Sequence, residues 1–261
     1  MTEPIKLAVF GAAGRMGRAV IRLASEGKSF EIVRAIDGSA TGDAGMLAGV
    51  GAIGIDFTRS ATDLGGAQAV VDFSAPGALP DIAEAAADAG AVFVSGTTGL
   101  DPEGLLALDS ASAKVPTLWE PNMSVGVFVL GELVRKAIAM LGDGFDIEIV
   151  EAHHKRKIDA PSGTAKRLAE IAKESRGKAS FVHGREGKAT ARAKDDIAIL
   201  ALRGGDVIGD HHIHFLGEGE RIELVHRAST RDLVAAGALR AAGWLVGKPA
   251  GRYGLGDVLR S

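Results

Sequence analysis

The sequence predicts an α/β protein: a doubly wound parallel-sheet domain plus a smaller α+β domain with a mixed sheet. Three observations predict it. Over the first half of the chain, short apolar runs alternate with helical segments, as strands do when crossover helices join them. The first run meets the first helix through a glycine-rich turn, Gly11-Ala12-Ala13-Gly14-Arg15-Met16-Gly17. Beyond residue 196 the alternation stops, and three consecutive strand-like runs follow, separated by short Gly-containing turns.

Composition narrows the function classes. With 30 Lys and Arg against 33 Asp and Glu, the net charge of −3 leaves no surplus of cations to neutralise nucleic-acid phosphates. There is no cysteine, which excludes disulfides and a thiolate nucleophile. The N-terminal residues run directly into a strand without a signal-peptide pattern, no apolar stretch approaches a membrane span, and no fixed-period repeat is visible, so the expectation is a cytoplasmic protein. Glycine, at 36 residues, is about twice its usual share of roughly 7%, which predicts many tight turns.

Ile5–Phe10 has the composition of a buried parallel strand, and residues 18–24 read as a helix closed at Gly27. Strand, glycine turn and helix in Gly-x-x-Gly-x-x-Gly spacing form a dinucleotide fingerprint of the Rossmann type. Gly11 makes the tight turn, Gly14 lets backbone approach a pyrophosphate, and Gly17 lets helix pack on strand. The next strand, residues 31–36, ends at Asp37, about 20 positions beyond Gly17, where an acid accepts bonds from both ribose hydroxyls and repels a 2′-phosphate. Gly38 stands where an arginine would favour NADP, so the spacing favours NADH, while Arg15 keeps NADPH open. Residues 38–66 read as irregular chain with one short strand. Further strands at 69–73, 91–95 and 116–119 alternate with helices at 82–89 and after Asp101-Pro102, where Asp101 caps and Pro102 enters the first turn. Ligands of such sheets lie beyond the carboxyl ends of the strands. Phe73, the segment Gly96-Thr97-Thr98-Gly99, and Asn122-Met123 all fall there, with Thr97 and Thr98 as candidate partners of a nicotinamide amide.

Residues 125–141 predict a long apolar helix bridging two domains. A strand over 147–150 then delivers Glu151-Ala-His153-His154-Lys155-Arg156-Lys157-Ile-Asp-Ala-Pro-Ser162-Gly163-Thr164, the stretch richest in chemistry. Ser162 is a good N-cap for a helix over 165–175 that stops at Gly177, and a helix N-terminus attracts carboxylate or phosphate. Lys155, Arg156 and Lys157 add full charges, and His153 or His154 can donate a proton near neutral pH. An anion clamp beside a proton donor suits a reductase acting on a small acidic substrate; the plainer alternative is a solvated basic loop. Residues 176–196 read as a polar loop. Strands at 197–203, 207–215 and 221–226 follow, joined by hairpin-type turns. His212 and His214 share a strand face but have no third ligand at matching spacing, so no metal is expected; they read as polar strand residues at a subunit contact. Arg203-Gly-Gly is either a hairpin corner or a cation aimed at ligand. A helix over 231–246, carrying Trp244, is expected to return to the first domain. The predicted organisation is thus a dinucleotide-binding domain over 1–124, a substrate-binding and tetramerisation domain over 125–232, and a returning segment over 233–261.

The motifs Gly11 to Gly17, Asp72-Phe-Ser, Gly96 to Gly99, Asn122-Met-Ser-Val-Gly126, Glu151 to Thr164, Arg203-Gly-Gly-Asp206, Gly217 to Arg221 and His226-Arg-Ala-Ser229 together resemble the 4-hydroxy-tetrahydrodipicolinate reductase (dihydrodipicolinate reductase) family of lysine and diaminopimelate biosynthesis. The resemblance runs over nearly the whole chain. It implies a homotetramer in which NAD(P)H gives hydride to a cyclic, unsaturated imine bearing two carboxylates. His153 is then the general acid that protonates the resulting enamine, Lys157 holds a carboxylate and the developing charge, and His154, Ser162, Gly163 and Thr164 complete the substrate contacts. The chain departs from the family pattern at Asp37-Gly38, which lacks the Glu-Arg pair of dual-specific members, and at its Arg252-Tyr-Gly-Leu-Gly256 ending. Among rivals, a semialdehyde dehydrogenase needs the cysteine this chain lacks. A zinc hydrolase built on the histidines would be inactivated by a chelator. A catalytically silent NAD(P)-binding sensor of the same fold would bind NADH without turnover.

Overall fold

The computed structural model describes residues 3–188 and 191–260. The chain divides into two compact units, one formed by residues up to Val125 together with those from Arg231 onward, the other by Gly126–Thr230.

The first unit is a seven-stranded parallel sheet. Its strands are β1 (Ile5–Phe10), β2 (Phe30–Ile36), β3 (Phe57–Thr58), β4 (Ala69–Asp72), β5 (Val92–Ser95), β6 (Pro116–Trp119) and, from the far end of the chain, β12 (Gly251–Tyr253), in the order β12-β6-β5-β4-β1-β2-β3. The strands are apolar on both faces because helices cover both. Ala8, Phe10, Val70 and Phe93 pack against α3 (Leu79–Asp88) and α4 (Pro102–Ser112). The residues alternating with them, Leu7, Val9, Val71 and Val94, are also buried and by the pleat face the other way. There α1 (Arg15–Glu26) and α7 (Asp232–Leu245) pack on each other and on the strands. The strand order reverses between β1 and β4, the switch point at which sheets of this kind open a ligand crevice. Asp101 caps α4, accepting the Gly104 amide at 2.8 Å, with Pro102 in the first turn.

The second unit packs α5 (Val125–Leu141) and α6 (Gly163–Arg176) against one face of a five-stranded mixed sheet. Its strands are β7 (Asp146–His153), β8 (Ser180–Val182), β9 (Asp196–Arg203), β10 (Gly209–Leu216) and β11 (Arg221–Ala228), in the order β11-β10-β7-β9-β8. Along β7 every second residue is buried: Ile147, Ile149, Glu151 and His153. The first two lie in the apolar core with Phe215, Ile213, Leu168 and Val134. The last two continue the same face beyond it.

Several expectations need correction. β9 and β10 are not a hairpin: β7 inserts between them, parallel to β9 and antiparallel to β10, so only β10 and β11 are hairpin partners. The polar segment 176–196 contributes the edge strand β8, and the irregular segment 38–66 contains α2 (Ala44–Ala48) as well as β3. Asp43 organises that segment by accepting the amides of Met46, Ile53 and Gly54. The tail adds β12 and α8 (Leu255–Arg260), which the sequence reading did not anticipate. Residues 189 and 190 of the expected loop lie outside the described residues.

A steric test follows from α7. A Cβ placed on Gly237 falls 1.8 Å from the Met123 carbonyl oxygen, a backbone atom that cannot rotate away. Gly237→Ala gains helix propensity of about 1 kcal/mol but overpacks the contact by about 1–3 kcal/mol or more. The melting temperature is expected to fall by several degrees in calorimetry; a value at or above that of the parent would contradict the packing described.

Candidate active site

In the first unit, the carboxyl ends of β1, β2 and β4 surround a pocket of about 460 Å³ lined by Gly11, Gly14, Asp37, Gly38, Arg59 and Phe73, among others. The glycines are required by geometry. Gly11 has φ +66°, and a Cβ there would lie 2.3 Å from the Phe73 carbonyl oxygen; a Cβ on Gly17 would lie 2.2 Å from the Gly11 carbonyl oxygen. Gly14 is the extended, exposed N-cap of α1 and leaves the approach to the helix N-terminus open. Ala12 is buried, Ala13 and Met16 are half-buried, and Arg15 is exposed. Asp37 accepts the Ala13 amide at 3.0 Å and both the amide (2.9 Å) and the hydroxyl (2.6 Å) of Ser39. Partial burial opposes its ionisation, but these three donors outweigh burial and hold the carboxyl below its usual range, so it is an anion at neutral pH. A glycine cradle that any Cβ would fill, opening beside a helix N-terminus and an ionised acid, fits a dinucleotide.

Farther along the same sheet, the fully buried Asp72 accepts the amide and hydroxyl of Ser74 and the hydroxyls of Ser95 (2.7 Å) and Thr97 (2.8 Å). The Thr97 side chain is therefore turned inward, and its carbonyl accepts the Trp119 indole N–H at 2.8 Å. Thr98 is exposed. A Cβ on Gly96 would fall 2.1 Å from the Phe73 ring. The Asn122 side-chain oxygen accepts the Ser124 amide at 2.9 Å, while the Met123 side chain is fully buried.

In the second unit, chemistry gathers at the end of β7. Glu151 is 0% exposed, and four nitrogen atoms converge on its carboxylate. Arg203 binds it as a fork, Nη1 at 2.7 Å from Oε2 and Nη2 at 2.8 Å from Oε1. The Ser162 amide donates to Oε1 at 3.0 Å, and His153 Nδ1 lies 2.6 Å from Oε2. Ser162 caps α6 by accepting the Ala165 amide at 3.2 Å, and its hydroxyl is 3.2 Å from Nε2 of His211. His211 pairs with Glu151 in the β10–β7 register and sets its ring edge-on to His153, centroids 5.3 Å apart. The amide of Gly204 donates to the His153 carbonyl at 2.9 Å, tying the turn after β9 to the end of β7.

The electrostatics follow from this packing. Burial is the largest influence on Glu151 and opposes its charge, yet Arg203, His153 and the Ser162 amide together hold its carboxyl below the usual range. Arg203 is pushed up, chiefly by the same carboxylate. His211 goes the other way: burial, reinforced by neighbouring His153, lowers it to about 4, so it is neutral at physiological pH. His226, its neighbour on β11, is lowered by burial too. In the loop beyond β7, Lys155 and Arg156 are exposed, and Lys157 is half-buried with Nζ 2.7 Å from Asp159. That ammonium holds the Asp159 carboxyl below its usual range. His154 and Thr164 are half-buried and Gly163 is exposed at the first turn of α6.

The structure thus brings His153 and Ser162 into one network, places His154 and Lys157 on the segment joining them, and sets Gly163 and Thr164 in the first turn of α6 just beyond Ser162. Ser162 serves as cap and bridge, its hydroxyl already committed within the protein. Arg203 resolves neither as hairpin corner nor as cation aimed at ligand: it clamps Glu151. The sequence reading assigns no role to Glu151, His211 or Arg59. The alternation of β7 was the available signal for Glu151, since it shares a face with His153 two residues on. His212 and His214 stack on the opposite face, centroids 6.2 Å apart. Among the described residues no group of three potential metal ligands exists.

Comparison with known proteins gives consistent matches. Models of the dihydrodipicolinate reductase N-terminus and C-terminus match residues 5–123 and 126–259. A 4-hydroxy-tetrahydrodipicolinate reductase of Anaeromyxobacter sp. is 46% identical, covering 98% of this chain and 97% of its own. One from Acinetobacter baumannii is 40% identical, covering 99% and 97%. A dipicolinate-bound dihydrodipicolinate reductase from Paenisporosarcina sp. superposes with a TM-score of 0.77 at 22% identity, over 96% of this chain and 97% of that one. GenD2 of gentamicin A biosynthesis, in complex with NAD, gives 0.60 at 12% identity over 99% and 91%, a likeness of fold.

The state of His211 has a measurable consequence. Folded, it takes up its proton near pH 4; an unfolded imidazole does so near 6.5. Between these values the unfolded chain holds the extra proton, so this residue's contribution to stability falls as pH drops from 6.5 to about 4 and is level below. The span is about 3 kcal/mol. In urea denaturation at pH 7 and pH 4.5, His211→Asn is expected to lose less stability between the two conditions than the parent; an equal loss would contradict a neutral, buried His211.

Proposed function

Because the chain belongs to the dihydrodipicolinate reductase family, we propose that its first unit binds the reduced nicotinamide cofactor and that its second unit holds and protonates the substrate. The reaction is the NAD(P)H-dependent reduction of 4-hydroxy-tetrahydrodipicolinate to tetrahydrodipicolinate in lysine and diaminopimelate biosynthesis. The observation that carries the assignment of roles is the position of His153. It ends β7 with Nδ1 on a buried carboxylate and is followed by the Lys157 loop and the N-terminus of α6.

When bound, the cofactor supplies the hydride. His153 gives its proton to the carbon of the enamine that hydride addition leaves, a step that suits an imidazole near neutral pH. Lys157 exchanges Asp159 for a substrate carboxylate and steadies the charge that develops. Gly163 and Thr164, at the positive end of α6, receive the second carboxylate together with His154, while Ser162 keeps that helix end in place. In the first unit, Gly11 to Gly17 cradle the pyrophosphate. Asp37 accepts the ribose hydroxyls, so NADH is preferred, and Arg59 and Arg15 keep NADPH usable. Phe73, Gly96 to Thr98, Asn122 and Met123 form the nicotinamide end, Thr97 and Met123 through backbone.

The outer face of the second sheet supports a homotetramer. Val150, Ala152 and Leu200 there are only half-covered, and Leu202 and Val225 are 58% and 40% exposed, an apolar surface flanked by His212 and His214. No helix among the described residues is long and apolar enough to cross a membrane. We place the enzyme in the cytoplasm, without a nucleic-acid partner.

His153→Gln is expected to lower kcat by about two orders of magnitude or more with NADH affinity unchanged, and Lys157→Ala to raise KM for the diacid as well as slow turnover, both followed by nicotinamide absorbance. Near-parental turnover in the first, or a change confined to the cofactor's KM in the second, refutes the role concerned. Asp37→Ala should erode the NADH/NADPH ratio of kcat/KM; an unchanged ratio discards the ribose contact.

A further inference from the structure

We infer that Glu151 is the positioning residue of this site: pinned by Arg203 and the Ser162 amide, its carboxylate holds the His153 imidazole with a hydrogen on Nδ1, so the proton given to substrate leaves from Nε2. This rests on the reading of His153 as the acid and adds which nitrogen acts and what fixes it.

The number and kind of donors around the carboxylate decide which ring nitrogen carries the hydrogen. A carboxylate offers about four acceptor positions and, once ionised, donates nothing. Three are taken by the two guanidinium N–H groups and the Ser162 amide, at 2.7, 2.8 and 3.0 Å. All three partners are obligatory donors, and together they keep the buried carboxylate charged. The fourth contact, at 2.6 Å to His153 Nδ1, can then only be N–H to oxygen, with nitrogen the donor. A neutral His153 therefore carries its hydrogen on Nδ1 and a bare lone pair on Nε2; charging the ring adds the mobile proton at Nε2. Nε2 lies beside Gly209, where an added Cβ would approach within 3.0 Å of it and 3.4 Å of Cδ2, so a side chain at that position would press on this edge of the ring. The fork from Arg203 also fixes the carboxylate plane, and the edge-on ring of His211 limits rotation of His153.

The charged and titratable groups around His153 are Glu151 on its own strand, Arg203 on β9, and His211 on β10 with His226 beside it on β11. Lys157 and Asp159 come from the following loop. Arg203 neutralises Glu151 but cannot replace it, because a cation favours an uncharged imidazole. The carboxylate is the one group among these bonded to the ring that favours its proton.

Two measurements test this. In Glu151→Gln the amide can accept from Nδ1–H or donate to a bare Nδ1, so the tautomer is no longer dictated. We expect kcat/KM for the diacid to fall about 10²-fold or more, the alkaline limb of its pH profile to move to lower pH, and NADH affinity by fluorescence to stay within about twofold. Glu151→Asp should restore part of the rate and the position of the limb. A variant with lowered melting temperature but an unmoved limb makes Glu151 merely structural and overturns the inference, while an inactive His153→Gln beside it leaves the acid role standing. Should the buried substitution prevent folding, nitrogen-15 histidine spectra of the unaltered protein decide. At alkaline pH the resonances missing from His153→Gln are expected to show hydrogen on Nδ1 and none on Nε2; the opposite tautomer overturns the inference.

Discussion

The second unit depends on one buried carboxylate. Glu151 sits on the inward face of β7 at the point where the apolar core ends, and what satisfies it comes from three different elements: the Arg203 fork from β9, the Ser162 amide from the start of α6, and His153 from its own strand. An ionised carboxylate removed from water is tolerable only when its acceptor positions are filled, and removing one partner of such a pair typically costs about 3–5 kcal/mol. That constraint ties the end of the sheet to the N-terminus of the helix that follows. The residues between them, His154 to Pro161, are thereby anchored at both ends.

The first unit meets a similar problem differently. Its cradle is made from absences: no Cβ fits at Gly11 or Gly17, and Gly14 leaves the helix end uncovered. Behind it Asp72 gathers the hydroxyls of Ser74, Ser95 and Thr97, holding together the carboxyl ends of β4 and β5. In both units a fully buried acid is the internal anchor, and the residues proposed to meet ligands stand on what that acid holds. This explains why several residues expected to touch ligand through their side chains, Thr97 and Ser162 among them, have hydroxyls already bonded within the protein.

Much of this was legible in the sequence, for reasons that differ by element. The parallel sheet announces itself because strands buried on both faces are uninterrupted apolar runs, and the glycine turn because its steric demands admit no substitute. The histidine pair, the basic loop and the Ser162 cap are contiguous, so local reading suffices. What was missed is non-local. Arg203 and His211 lie 52 and 60 positions or so beyond Glu151, and the inference of sequential hairpins hid the insertion of β7 between β9 and β10 that brings all three together. The helix α2 is too short to show a period, and Asp43, which organises it, looked like any turn residue.

The most direct test of whether Glu151 acts through His153 is a double-mutant cycle on kcat/KM, combining Glu151→Gln with His153→Gln. With the imidazole gone there is nothing left for the carboxylate to orient, so the double variant is predicted to be about as slow as His153→Gln alone. Losses that multiply would contradict the account and leave Glu151 and His153 as independent contributors.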